Sequence, residues 1–375
     1  MESHLVAEIS IGAVRDNLRL IRRHVGPGVR ICPAVKADCY GHGLELLWPV
    51  IAEEADAMAV ATADEAMELR RLGYAGEMLM FFTPCSLPAG RVNQTLKELI
   101  SKDVTLTVVS AGEVEAVVQA ARELGGQAKV HVKIDTGMGR SGVLHDAAGG
   151  LVNCVRAAGP IELTGLYTHF ATADESDKSY AMEQVASFRS AVEACGGGEG
   201  LTIHAANSAA AIDLPDCHFD MIRPGIAVYG YQPSGEMHTV LPLRPCLKLK
   251  SILMQVKDLT AGASVGYGLT HTFDRASRVG LVPVGYADGY PRSVSDRASM
   301  RIGDADVPIC GRVAMDQVIV DLTEAPSVRV GDEVEVISDD PSSARSVESI
   351  AAIAATIPYE ITCGLGSRIR RVSVE

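Results

Sequence analysis

TLTVVSAGEVEAVVQAARELGGQAKVHVKI, residues 105–134, contains one strand, one helix and a second strand. TLTVV (105–109) has the β-branched texture of a strand. Ser110-Ala111-Gly112-Glu113 has the spacing of a capping box, and Val114, Val117, Val118, Ala121 and Leu124 then recur on one helical face until Gly125 stops the helix. KVHVKI (129–134) follows as the next strand. Outward from this unit the same alternation recurs, with strand candidates VRICPAV (29–35), AMAVA (57–61) and MLMFF (78–82) before it and LTGLYT (163–168), LTIHA (201–205) and MIRPGIAVY (221–229) after it. Eight strands separated by helical segments, with a leading helix near 11–24, predict an α/β fold in which an N-terminal (β/α)8 TIM barrel spans the first part of the chain. An open doubly wound sheet is the alternative.

Beyond about residue 240 the texture changes. VGLVPVGY (279–286), VPICG (307–311), QVIVDLT (317–323) and DEVEVI (332–337) are short apolar runs broken by glycine, proline and aspartate, the pattern of a C-terminal mostly-β domain. The expected division is 1–240 for the barrel and 241–375 for the β domain, with the join near Gln232–Pro242. A net charge of −13 works against nucleic acid and anionic membrane as partners. The nine cysteines show no CxxC pair, the N-terminal MESHLVAEIS lacks the basic and apolar parts of an export signal, and no long apolar span is present. A cytoplasmic protein is expected, and no metal-ligand spacing is read.

Barrel enzymes assemble their sites at the C-terminal ends of the strands, and the unusual polar residues of this chain fall there. AVKADCYGHG (34–43) puts Lys36 at the end of strand one, where desolvation favours the neutral, nucleophilic amine, with the Tyr40 phenol close behind. In KVHVKIDTGMGRSG (129–142), period two sends His131, Lys133 and Asp135 to one face, followed by Arg140. Several cations near one another are costly unless an anion joins them, so the cluster calls for a phosphate or carboxylate ligand. His169 ends strand six. Asn207 and Ser208 in HAANSAA (204–210) offer a helix cap, or a hydroxyl and free N–H groups for a phosphate. MIRPGIAVYG (221–230) carries Arg223 in an apolar strand, where it needs a partner, and Gly225, which permits close backbone approach.

With SVGYGLT (264–270), VGYADGYPR (284–292), CGRVAMDQ (310–317) and IPYE (357–360), these segments resemble the alanine racemase family over nearly the whole chain. The resemblance implies pyridoxal 5'-phosphate (PLP) carried covalently on Lys36. It implies that Tyr40, Ser208, Gly225, Ile226 and Tyr359 bind the phosphate with Asn207 in the same loop, that Arg223 hydrogen-bonds the pyridine nitrogen, and that His169 lies against the ring. It further implies Arg140 and Met315 as contacts of the substrate carboxylate, and Tyr286, Arg292 and Arg312 along the entry path. Lys133 matches a position often carbamylated. Tyr267 matches a second acid/base that comes from the partner subunit of a homodimer. Asp38, Ala314, Pro224 and the ending GLGSRIRR depart from the common pattern.

Racemisation needs two acid/base groups on opposite faces of the substrate's α-carbon, and Lys36 and Tyr267 are the implied pair. The implied reaction interconverts L-alanine and D-alanine, which supplies peptidoglycan; a broader alanine/serine racemase is the neighbouring reading. A PLP-dependent decarboxylase would pair the pyridine nitrogen with a carboxylate rather than Arg223, and a barrel-only PLP carrier would lack the second domain.

Overall fold

A computed structural model describes residues 4–375; residues 1–3, at the start of the stretch read for an export signal, lie outside the described residues. The chain begins with β1 (Val6–Ser10), which runs directly into α1 (Ile11–Val25), where the Ser10 hydroxyl accepts from Ala13 N–H at 3.1 Å as the N-cap. Then come β2 (Arg30–Ile31), the short turn α2 (Lys36–Gly41), α3 (Leu44–Glu54), β3 (Met58–Val60), α4 (Ala63–Arg71), β4 (Met78–Met80), α5 (Val92–Ser101), β5 (Val104–Val108), α6 (Ala111–Leu124) and β6 (Ala128–Asp135). A small strand β7 (Val143–Leu144) pairs with the end of β6, and α7 (Ala148–Ala157), β8 (Ile161–Tyr167), α8 (Ser179–Ala194), β9 (Thr202–His204), α9 (Ser208–Asp213) and β10 (Met221–Ile222) follow.

β2, β10, β9, β8, β6, β5, β4 and β3 are neighbours in that order and all pair in parallel. The chain just past β2 joins the two ends: Ala34 bridges Ala59, and Ala34 N–H also reaches the Pro224 carbonyl at 2.8 Å. The expected (β/α)8 barrel is therefore the observed one. Its strands are largely buried because one face packs inside the barrel and the other meets the helices; all five residues of β5 are buried, Thr105 and Thr107 among them.

Two local expectations are corrected. The eighth strand is not MIRPGIAVY; pairing stops after Ile222, Arg223 lies just beyond the strand, and Ile226–Tyr229 form a 3-10 turn. Pro224 has no N–H to continue a ladder, which accounts for the early end. On α6, Ser110 caps Glu113 N–H as expected, but the Glu113 carboxylate does not complete the box; it accepts from Val109 N–H at 2.8 Å and Cys85 N–H at 3.3 Å.

The C-terminal part contains β11 (Leu247–Ile252), β12 (Gln255–Leu259), β13 (Ser264–Val265), β14 (His271–Thr272), β15 (Ser277–Val282), β16 (Ser299–Ile302), β17 (Ala305–Pro308), β18 (Val318–Asp321), β19 (Glu333–Ile337), α10 (Val347–Ala354), α11 (Pro358–Cys363) and β20 (Arg370–Val374). One six-stranded sheet runs β17, β16, β19, β11, β1, β20, so the first strand of the chain lies inside the second sheet, antiparallel to β11 and parallel to β20. No helix among the described residues is long and apolar enough to cross a membrane.

Buried Asn17 on α1 fixes the connection between the two parts. Its Nδ2 donates to the carbonyls of Val228 at 3.2 Å and Arg244 at 2.8 Å, and its Oδ1 accepts from Arg244 N–H at 2.8 Å. Asn17→Ala leaves these buried backbone groups unpaired and should lower unfolding free energy by about 2–4 kcal/mol. Urea unfolding checks this, and a loss under about 0.5 kcal/mol would show that Asn17 does not hold the join.

Candidate active site

Past Ala34 the chain makes a turn that sets the site. Ala37, Asp38, Cys39 and Tyr40 have φ of 51°, 55°, 53° and 55°, four consecutive left-handed residues none of which is glycine. Such residues cost about 1–2 kcal/mol each, so the surroundings must hold the turn. Glu65 accepts from Ala37 N–H at 2.8 Å, Asp38 Oδ1 accepts from Leu44 N–H at 2.6 Å, and Arg371 Nε–H donates to the Gly41 carbonyl at 2.7 Å. Gly41, at φ 84°, packs on α11 so closely that a Cβ would run into the Thr362 carbonyl. The turn leaves Lys36 Nζ 6.0 Å from the centre of the Tyr40 ring and 5.9 Å from that of Phe81.

Lys36 faces a cationic ring. Burial, and after it Arg140, hold its amine below the ordinary lysine range; Glu65 opposes them, and Arg223 adds to the depression. Lys133 on β6 is buried, and its amine is lowered to about 8 by burial first and then by Arg140 and Arg223. His169 is held well below its usual value by burial and the same arginines. Arg140 is exposed on the loop after β6. Lys36, Lys133, Arg140, His169 and Arg223 thus share one electrostatic neighbourhood at the barrel's C-terminal mouth, as the strand-end positions led one to expect.

Arg223 is buried and has no carboxylate partner among the described residues. It donates to the carbonyls of Thr168 at 2.8 Å and Ala205 at 3.0 Å and to His204 Nδ1 at 2.7 Å. A guanidinium only donates, so His204 Nδ1 accepts, its Nε2 carries the hydrogen, and that hydrogen goes to His131 Nδ1 at 3.0 Å. Both imidazoles are neutral; burial, with Arg223 beside it, lowers His131 to about 3. The Tyr167 ring stacks on His204 with centroids 4.8 Å apart and has Lys133 Nζ 5.8 Å and Arg223 Cζ 5.1 Å from its centre. Its hydroxyl is bonded to Thr107 Oγ1 at 2.9 Å. Burial, first of all, lowers Arg223 to about 10.

Beside this ring lies a compact polar floor. Ser208 Oγ accepts from Gly225 N–H at 2.8 Å, and a Cβ on Gly225 would run into the Tyr40 hydroxyl. Tyr40 and Tyr359 rings are 6.0 Å apart, Asn207 caps α9 through Ala210 N–H at 3.0 Å, and Ile226 is fully buried. Hydroxyls, with cations that outweigh the opposing carboxylates of Glu65 and Asp135, form a donor set that fits a phosphate-bearing ligand.

Tyr267 and Met315 sit elsewhere. Tyr267, in the turn between β13 and β14, is 71% exposed and Met315 is 52% exposed. Gly266, Tyr267, Arg312, Ala314 and Gln317 line a cavity of about 310 Å³ on the β domain. A larger cavity, about 610 Å³, lies between α6 and α7 and contains none of the predicted site residues. The sequence reading missed His204, Tyr167 and Glu65. The HAANSAA motif contained His204, but its partner across the barrel was not visible in it.

Fold and site together define a barrel protein with a lysine-bearing, cationic mouth joined to a β domain. Residues 9–233 match the family model for the alanine racemase N-terminal domain and 246–373 that for the C-terminal domain. The chain is 39% identical to the alanine racemase of Desulfovibrio desulfuricans, with 98% of each covered, and 38% identical to alanine racemase 2 of Caldanaerobacter subterraneus subsp. tengcongensis, covering 98% of this chain and 94% of that one. The crystal structure of alanine racemase from the D-cycloserine-producing Streptomyces lavendulae superposes with a TM-score of 0.91 at 35% identity, covering 100% of this chain and 98% of that one. The chain belongs to the alanine racemase family.

In ligand-free protein kept in carbon-dioxide-free buffer, competitive acetylation should give Lys133 a titration midpoint near 8, whereas a free lysine titrates near about 10.4. A midpoint above about 10 would show that burial and the two arginines do not act on this amine.

Proposed function

We propose that the protein is a PLP-dependent alanine racemase that interconverts L-alanine and D-alanine, acts as a cytoplasmic homodimer and supplies D-alanine for peptidoglycan. The observation that carries this reading is the ring of Lys36, Lys133, Arg140 and Arg223 around one barrel mouth in a chain of this family. Nine free cysteines suit a reducing compartment. The division into a barrel (1–240) and a β domain (241–375) is kept as a functional one: the first carries the cofactor, the second supplies Tyr267 and the substrate entry, while β1 ties the two by sheet pairing.

Lys36 would hold PLP through its amine. Tyr40, Ser208, Gly225, Ile226 and Tyr359 would hold the phosphate with Asn207 shaping their loop, and His169 would lie against the ring. When bound, PLP supplies an electron sink for negative charge at the substrate's α-carbon. Arg223 would serve as donor to the pyridine nitrogen and would surrender no proton there, because guanidinium keeps its charge. Arg140 would bind the substrate carboxylate, with the Met315 backbone N–H brought to it, like Tyr267, by the second chain, and so orient the α-hydrogen.

Lys36 Nζ takes the α-proton of D-alanine on one face, and the phenol of the partner subunit's Tyr267 delivers a proton on the other; L-alanine runs the exchange in reverse. The 71% exposure of Tyr267 supports a site completed by a second chain. Lys133, partly neutral near pH 8, would add through Nζ to carbon dioxide and lose a proton, and the resulting carbamate would pair with Arg140.

A chiral assay with a panel of L-amino acids plus PLP should show racemisation of L-alanine, and no racemisation of L-alanine would reject the function. Heterodimers of Lys36→Ala and Tyr267→Phe chains, each parent nearly inactive, should regain about half of wild-type activity per dimer because one of the two sites is then intact. Heterodimers that bind PLP yet stay as inactive as their parents would reject the shared site.

A further inference from the structure

Glu65 is the third residue of α4 and the carboxylate of a complete capping box, in which Thr62 Oγ1 accepts from Glu65 N–H at 3.2 Å and Glu65 Oε2 accepts from Thr62 N–H at 3.1 Å. A capping box needs no more than this. Here Oε2 also takes Ala61 N–H at 2.7 Å, and Oε1 reaches out of the box to Ala37 N–H at 2.8 Å, the amide directly after Lys36. One carboxylate therefore joins the end of the second barrel strand to the first residue of the left-handed turn. Its position is fixed by three backbone donors rather than by a flexible ion pair.

The charges around Lys36 make this placement consequential. Arg140 follows β6, Arg223 follows β10, Lys133 comes from β6 and His169 follows β8; Tyr40 and Phe81 flank the amine, and Cys363 and Tyr359 approach from α11. Among these neighbours Glu65 supplies the carboxylate. Glu113, at the equivalent place on α6, reaches back in the same way to Val109 and Cys85, so the device recurs, but only the copy on α4 meets Lys36.

We propose that Glu65 is a positioning residue for the reaction at Lys36, its carboxylate fixing the backbone that presents the amine and setting the charge the amine meets. This rests on the reading of Lys36 as the reacting amine. Loss of the charge removes a group that favours protonated Lys36, so the amine should become neutral at lower pH.

The test uses ligand-free full-length protein, with the acetylation midpoint of Lys36 followed by peptide mapping. Glu65→Gln should lower the midpoint by about half a pH unit, a threefold rise in neutral amine below it, the size expected of a partly solvated charge pair. The acid limb of kcat, which reports groups of the substrate complex, where the Lys36 amine is free to act as base, should move in the same direction, and Glu113→Gln, which loses the equivalent cap, should move neither. An unchanged midpoint in Glu65→Gln, or an equal shift in Glu113→Gln, overturns the proposal. Should Glu65→Gln not fold, Glu65→Asp keeps the charge with a shorter reach and should speed amide exchange of Ala37 about tenfold; unchanged exchange overturns the proposal. Borohydride reduction of the PLP-loaded wild type reports separately on Lys36, and labelling solely at another lysine would reject the functional reading and this role with it.

Discussion

A guanidinium enclosed in the barrel with no carboxylate to balance it is the constraint on which the site depends. Arg223 has two carbonyls, His204 Nδ1 and, at 3.4 Å, His169 Nδ1 as acceptors, and burial keeps its charge expensive. A carboxylate in place of His204 would have cancelled the charge. The histidine instead satisfies one N–H and leaves the field intact, with His131 behind it fixing the tautomer. Burial comes first in lowering the amines of Lys133 and Lys36, Arg140 adds to it, and Arg223 contributes a further share. The same arrangement that makes the lysines nucleophilic makes the mouth receptive to an anion.

A second constraint comes from backbone conformation. The left-handed turn after Lys36 is affordable because groups from three separate places hold it: α4 through Glu65, the last strand through Arg371, and α11 through its contact with Gly41. Two of the three belong to the C-terminal part of the chain. The β domain therefore does more than carry Tyr267, since it also shapes the barrel turn that carries Lys36. Arg371 lies on β20, whose neighbour is β1, and β1 leads into α1, whose Asn17 holds the connection between the parts. Both ends of the chain and the join are in this way mechanically linked to the site.

The barrel was legible in the sequence because each unit repeats a strongly local signal, apolar runs followed by helical period, as in 105–134. Most of the mouth was legible for a related reason, since residues that end strands share a rim whatever their order in the chain. Strand eight was read too long because MIRPGIAVY is apolar apart from Arg223 and Pro224 was weighed as a departure rather than as the end of a ladder. β1 and β20 were missed because pairing across the whole chain leaves no local trace. Glu65 was not singled out, because a helix-start acid is common, and only the folded chain shows its second oxygen on Ala37. The roles given to Tyr267, Met315 and Tyr359 came from family resemblance; no charge pattern or period in their own segments pointed to them.

The most direct test of the central claim is nitrogen NMR on the protein loaded with PLP labelled with 15N in the ring. With Arg223 as donor and no carboxylate paired with it among the described residues, the ring nitrogen should give the signal of an unprotonated pyridine across the working pH range, and Arg223→Glu should move it to that of a protonated one. A protonated ring nitrogen in the wild-type protein would contradict the claim that this arginine controls the site.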